Sequence, residues 1–169
     1  MVGDLKNLVA LDQAEQQSID INEALEETLT FLRPKIETRI RVVRQYGTLA
    51  AFTGSPARLR QAFTNVLLNA IQAIANDGEV RVVTDEINGQ LRVRIEDNGK
   101  GMSQEQTDSL FDPGFTQKDG RVKTALGLVI ALQIVREHDG DIQIESQAER
   151  GTTVTFYFPK DREMKGGLH

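Results

Sequence analysis

Two alternating runs joined by Asn88-Gly89 constrain this chain more than any other feature. Glu79 to Ile87 and Gln90 to Glu96 each place every second residue on one face, and the Asn-Gly dipeptide between them is a strong hairpin signal. Leu91, Val93 and Ile95 share the buried face of the second strand, which runs out into Asp97-Asn98-Gly99-Lys100-Gly101-Met102. An acid followed by two spaced glycines delivers a carboxylate to the rim of a sheet. It also leaves a backbone that can turn sharply and that a flat ligand can approach closely. Alone, the same hexapeptide is equally an ordinary turn, so its meaning depends on the rest of the chain.

The chain has 169 residues, enough for one domain with a full core. No apolar run approaches the ~20 residues that span a bilayer, and Met1 to Lys6 lack the basic-then-apolar pattern of a signal peptide. The absence of cysteine excludes disulfides and thiolate metal sites and fits a reducing compartment, so a cytoplasmic location is expected. Lys plus Arg total 20 against 25 Asp plus Glu, a net charge of −5. An acidic chain without a basic tail argues against a nucleic-acid binder.

Taken in order, residues 2 to 16 carry Val2, Leu5, Leu8, Val9 and Leu11 at helical spacing. This is either the end of a longer helix that packs on a partner or a short helix folded onto its own domain. Ser18 to Ile21 reads as a short strand, and Asn22 as the cap of a helix from about Glu23 to Lys35. Arg39 to Tyr46 and Leu49 to Phe52 read as strands. Residues 33 to 60 hold Arg33, Lys35, Arg39, Arg41, Arg44, Arg58 and Arg60 against Glu37 alone, a solvated face or a docking surface for an acidic partner. Ser55-Pro56 starts a helix that runs to about Ala75. Within it Asn65 and Asn69 lie one turn apart on one side, amid Val66, Leu67, Leu68 and Ala70. They are either solvated amides or a pair of neutral oxygen ligands suited to Mg2+.

Beyond the hexapeptide, Ser103 caps a short helix to about Ser109. Leu110 to Thr124 reads as a long loop, with Phe111 and Phe115 around a Pro-Gly break and Lys118 behind them; loops of this length are often functional lids. Ala125 to about His138 is a nearly all-apolar helix. Asp141 to Gln147 and Thr152 to Phe158 are two final strands, and Lys160 to His169 has no pattern.

Each of these parts suits one portion of Mg-ATP. A buried carboxylate can accept from the exocyclic amine of adenine and discriminates against guanine, which carries a carbonyl there. Neutral amides can hold Mg2+ against phosphates. A helix N-terminus, expected at Leu126-Gly127-Leu128, offers N–H groups to phosphate oxygens. No G-x-x-x-x-G-K-[ST] loop is present.

In this order the motifs resemble the catalytic ATP-binding domain of bacterial sensor histidine kinases, within the wider ATPase group of gyrase B, Hsp90 and MutL. Asn65 to Ala70 is similar to the family's N box, Asp97 to Met102 to its first glycine box, and Phe111 to Lys118 to its F box and the start of its lid. Leu126-Gly127-Leu128 is similar to its second glycine box, and Gly151-Thr152-Thr153 to its final Gly-Thr element. The resemblance covers about Ile19 to Pro159. It implies an α/β two-layer sandwich, a mixed sheet of about five strands with three helices on one face. ATP and Mg2+ would be its cofactors.

Carried over, Asn69 is the Mg2+ ligand and Asn65 assists it or the phosphates; these two and Lys118 form the catalytic set. Asp97 binds the adenine amine, Gly99 and Gly101 shape the base pocket, and Met102 and Phe115 wall it. Lys118 and the amides near Gly127 and Leu128 meet the phosphates, and Thr152 backs Asp97 through water. Two departures stand out. Lys123 and Ala125 occupy positions where the family carries glycine, and Gln72 stands where a basic residue often follows the second Asn.

The resemblance divides the chain into residues 1–17, the end of a dimerisation and phosphoacceptor helix, 18–160, the ATP-binding domain, and 161–169, a disordered tail. Its partners would be the phosphoacceptor histidine domain of the full-length protein and a response regulator, with a homodimer formed through residues 2–16. His138-Asp139 superficially resembles the family's phosphoacceptor pair but sits at the end of a core helix, where the dipole favours a histidine. The alternatives are a binding module with an impaired lid, or an anti-sigma-type serine kinase.

Overall fold

The computed structural model describes residues 16–109 and 122–160. A short strand β1 (Gln17–Ile19) leads into helix α1 (Ile21–Phe31) and a single helical turn α2 (Arg33–Ile36). Strands β2 (Ile40–Tyr46) and β3 (Phe52–Gly54) precede the long helix α3 (Pro56–Ala73). The hairpin β4 (Gly78–Ile87) and β5 (Gln90–Asp97) follows, then a short helix α4 (Gln104–Asp108). Helix α5 (Val122–Glu137) and strands β6 (Asp141–Gln147) and β7 (Gly151–Pro159) complete the described chain.

Five strands form one mixed sheet in the order β2-β4-β5-β7-β6, with β2 parallel to β4 and the other pairs antiparallel. Asn88 and Gly89 both have positive φ, as a tight hairpin turn demands. The core fills the space between one face of this sheet and helices α1, α3 and α5. Leu91, Val93 and Ile95 of β5 and Val154, Phe156 and Phe158 of β7 meet Leu59, Phe63, Val66 and Leu67 of α3 there. The Phe63 ring lies 5.2 Å from Phe156, and Phe52 lies 5.0 Å from Phe158. Burying each such side chain stabilises the fold by roughly 1.5–3 kcal/mol. The α/β sandwich expected from the sequence is therefore the architecture found.

Several local expectations are corrected. Asp20, not Asn22, caps α1 by accepting from the Glu23 amide at 3.1 Å. Asn22 lies in the first turn and donates to the Gly47 carbonyl, while its oxygen accepts from the Thr84 hydroxyl. The helix expected to reach Lys35 stops at Phe31 because Pro34 offers no N–H and its ring would crowd the carbonyl four residues back. The strand expected from Leu49 begins at Phe52 and pairs with β1 in a separate two-stranded ribbon.

Part of the basic run is paired with acids, while Arg33, Lys35 and Arg41 are exposed, as a solvated face requires. Arg44 pairs with Glu26 at 2.6 Å, Arg58 with Glu137 at 2.5 Å and Arg60 with Glu27 at 3.7 Å, while Arg39 donates to the carbonyls of Ile74 and Asn76. The acids come from α1 and α5, beyond the stretch where their absence was conspicuous.

His138 is not a cation stabilised by the helix end. It is buried, and Nδ1 lies 2.8 Å from the Ile134 carbonyl while Nε2 accepts from the Ser55 amide at 3.0 Å. An amide can only donate, so these bonds define a neutral ring protonated on Nδ1. The end of α5 is thereby clasped to the start of α3. The readings made for residues 2–15, for Phe111 to Lys118 (Phe115 and Lys118 among them) and for the tail from 161 lie outside the described residues.

Candidate functional site

The sheet's interior rungs run apolar across three strands and then turn polar at one end. Val93, Phe156 and Ile142 make one rung, and Ile95, Val154 and Ile144 the next. The rung after that is Asp97, Thr152 and Ser146, on the same core-facing side. All three are half-buried rather than sealed in, so their polar groups stay within reach of a ligand.

Asp97 is held by two backbone N–H groups, those of Gly99 at 2.8 Å and of Thr152. Burial nevertheless dominates, and pushes its carboxyl up to about 6. Perturbed carboxyls of this kind concentrate at functional sites. A cavity of about 580 Å³ opens beside it, walled by Asp97, Ile144, Ser146 and Thr152 and by Gln104 and Thr107 of α4.

The glycines of the hexapeptide have a reason other than ligand approach. A Cβ on Gly99 would strike the Ala73 carbonyl at the end of α3, and one on Gly101 would strike the Gln147 carbonyl at the end of β6. Gly101 also has a φ of 63°, and Gly151 one of 123° with the Asp97 carbonyl where its Cβ would stand. The loop is threaded between α3 and the β6–β7 turn, and is tied there by Lys100 N–H to Ala73 O at 2.9 Å and Glu149 N–H to Lys100 O at 2.6 Å. Close packing of the chain on itself, not open space, demands these glycines. Met102 packs partly buried against the core, and its amide donates to Ser146 Oγ at 2.8 Å.

Asn65 and Asn69 lie on the face of α3 that meets α5. Asn65 Nδ2 is 3.3 Å from the Gly127 carbonyl, and a Cβ on Gly127 would stand 3.7 Å from Asn65 Cβ and 3.9 Å from Asn69 Oδ1. The structure thus brings together two motifs that lie 62 residues apart.

The expected helix N-terminus at Leu126-Gly127-Leu128 is not there. Helix α5 begins at Val122, so the Gly127 and Leu128 amides fall within the helix rather than on its free first turn, and the Leu128 side chain is buried. Lys123 and Ala125 are both good helix formers and suit the early start.

Sequence reasoning missed Ser146. Its signal was a serine in the apolar phase of Ile142-x-Ile144-x-Ser146, a hydroxyl where the alternation asks for another aliphatic residue.

These elements define a two-layer α/β sandwich of the histidine-kinase catalytic type. The chain superposes on the nucleotide-free catalytic domain of histidine kinase ThkA with a TM-score of 0.75 and 26% identity, covering 86% of this chain and 96% of that one. The mycobacterial sensor histidine kinase MprB gives a TM-score of 0.74 at 25% identity, over 88% of this chain and 99% of that one. Residues 54–162 match the family described as histidine kinase-, DNA gyrase B-, and HSP90-like ATPase, and the chain belongs to that family. Among curated proteins it is 34% identical over 169 residues to the sensor histidine kinase ZraS of Klebsiella oxytoca, covering 98% of this chain and 36% of that protein. It is 32% identical over 149 residues to the signal transduction histidine-protein kinase AtoS of Escherichia coli, covering 86% of this chain and 24% of that protein. The chain therefore spans about a third or less of the length of these relatives. Among the described residues no helix is long and apolar enough to cross a membrane.

Proposed function

We propose that this domain binds Mg-ATP at the Asp97 end of its sheet and presents the γ-phosphate to a histidine on the phosphoacceptor segment of its full-length protein, from which a response regulator would take it. The observation that supports this best is Asp97 itself, a carboxylate pinned by two amides at a polar rung beside a cavity. Asp97 would accept from the adenine amine, with Thr152 behind it through water and Met102 as a wall. Gly99 and Gly101 would set the path of the loop that carries it.

The donor chemistry around Asn69 fits Mg2+. Among the described residues no group of three or more His, Cys, Asp or Glu could hold a metal. A neutral amide oxygen that leaves most positions to phosphates and waters matches the habit of this ion. Asn69 would be that ligand. Asn65, whose amide nitrogen reaches Gly127, would turn its oxygen toward the phosphates. Lys118 would add charge to the phosphates and Phe115 would close the base pocket. Bound Mg-ATP supplies the activated phosphoryl group, so the residues of this chain act by positioning it and stabilising its charge. Position 65 offers an amide rather than a carboxylate to activate water, so hydrolysis without the histidine acceptor should be slow.

The test is transfer of label from γ-labelled ATP to the separately supplied phosphoacceptor segment. Label appearing on its histidine, and lost with Asn69→Ala, is the expected result. Label on a serine would favour the anti-sigma-type alternative. One observation favours a second reading, a binding module with weak nucleotide affinity: α5 draws the Gly127 and Leu128 amides into its ladder. Absence of nucleotide binding would establish that reading instead.

A further inference from the structure

Ser146 makes three polar contacts with one hydroxyl. Its Oγ lies 2.7 Å from Thr152 Oγ1 and 3.1 Å from the Gly151 carbonyl, and it accepts from the Met102 amide at 2.8 Å. A hydroxyl has one hydrogen and two lone pairs. The Met102 N–H occupies one lone pair. The hydrogen then goes either to the Gly151 carbonyl, with the Thr152 hydroxyl donating to Ser146, or to Thr152 Oγ1 directly. In both arrangements the Thr152 hydroxyl is tied to Ser146. The Asp97 carboxylate is held instead by the backbone amides of Gly99 and Thr152.

Ser146 also sits where it can act on the site through its neighbours. It is on the edge strand β6, two strands from Asp97, with Thr152 as Cα partner of both. Through the Met102 amide it anchors the far end of the loop that begins at Asp97. A serine that only stitched the β6–β7 hairpin would need its bond to Gly151 alone. The two other contacts lead to Met102 and Thr152, proposed above to wall the base pocket and to stand behind Asp97.

On the reading that Asp97 binds adenine, we propose that Ser146 is a positioning residue for base selectivity. By holding the Thr152 hydroxyl beside Asp97 it makes that pair discriminate a 6-amino purine from one with a 6-carbonyl, acting through Thr152.

The experiment is calorimetric titration of Mg-ATP, and displacement of ATP by inosine triphosphate, whose purine carries a carbonyl for the 6-amino group and a hydrogen on the adjacent N1. Wild type, Ser146→Ala, Ser146→Cys, Ser146→Thr, Thr152→Ala and the Ser146→Ala/Thr152→Ala double variant are compared, each with its melting temperature. Ser146→Ala should weaken ATP about tenfold and inosine triphosphate far less, so that the selectivity ratio falls. Ser146→Cys, of similar size but a poor hydrogen-bonding group, should behave alike, and Ser146→Thr should restore the ratio. The double variant should be no less selective than Thr152→Ala. Equal weakening of both nucleotides, or additive losses of selectivity in the double variant, would show that Ser146 only supports the fold or acts apart from Thr152, and would overturn the proposal. Failure of the wild-type chain to bind ATP would instead overturn the adenine reading on which it rests.

Discussion

Gly127 faces Asn69 across two helices. A methyl group on its α-carbon would stand 3.9 Å from Asn69 Oδ1 and 3.7 Å from Asn65 Cβ, in ordinary contact with both and in collision with neither. Gly127 lies inside α5 rather than at its end, so the helix gains from a side chain there. Gly127→Ala should therefore raise stability by up to about 1 kcal/mol, seen as a melting temperature about 2–4 °C higher. The same methyl intrudes between the two amides proposed to face Mg2+ and phosphate, so ATP affinity should fall at least about tenfold. Calorimetry on both properties checks this. A variant that gained stability and kept its affinity would remove the asparagine face from the site.

Asp97 carries two pH dependences of opposite sign. Its folded-state carboxyl titrates at about 6, above the ordinary carboxylate value of 3.8. A raised folded pKa means that the carboxyl's contribution to stability is fully present below the ordinary value and is lost as pH rises through about 6. Asp97→Asn should thus stabilise the nucleotide-free domain at pH 7.5, by about 1–2 kcal/mol, with the gain fading toward pH 4. ATP binding should run the other way, weakening as pH falls below about 6 because the protonated carboxyl is a poorer acceptor for the adenine amine. Melting curves and titrations across this range test both signs.

The clasp between His138 and Ser55 is structural. Gly54 precedes Ser55, and a Cβ on it would stand on the His138 ring. His138→Ala strands the buried Ser55 amide and leaves a cavity, and should cost about 2–4 kcal/mol. Gly54→Ala should also destabilise, and less so in the His138→Ala background, where the ring is gone. Strict additivity in thermal or denaturant unfolding of the four proteins would contradict the clasp.

The fold was legible because its strands alternate and its turns carry their own chemistry. The Asn88-Gly89 hairpin and the Ser55 and Ser103 caps stand where local sequence places them. Asp20 escaped notice because a better-looking cap, Asn22, lay two residues on, and tertiary bonds to Gly47 and Thr84 claimed that side chain. The site was legible as motifs but not as contacts. Nothing local to Gly99 or Gly101 announces the Ala73 and Gln147 carbonyls packed against them. The early start of α5 was implicit in Lys123 and Ala125, two residues of good helix propensity. Ser146 was the subtlest case. A single serine in an apolar phase gains meaning only when β7 places Thr152 beside it.

The most direct test of the central claim, that the Asp97 end of the sheet is an adenine site, is calorimetric titration of this chain with ATP and with GTP, both with Mg2+ at pH 7.5. The account predicts saturable ATP binding with a Kd between about 1 μM and 1 mM, abolished by Asp97→Asn in a folded protein, and much weaker or undetectable GTP binding. Equal affinity for the two nucleotides, unchanged ATP binding by Asp97→Asn, or no binding of either nucleotide would contradict it.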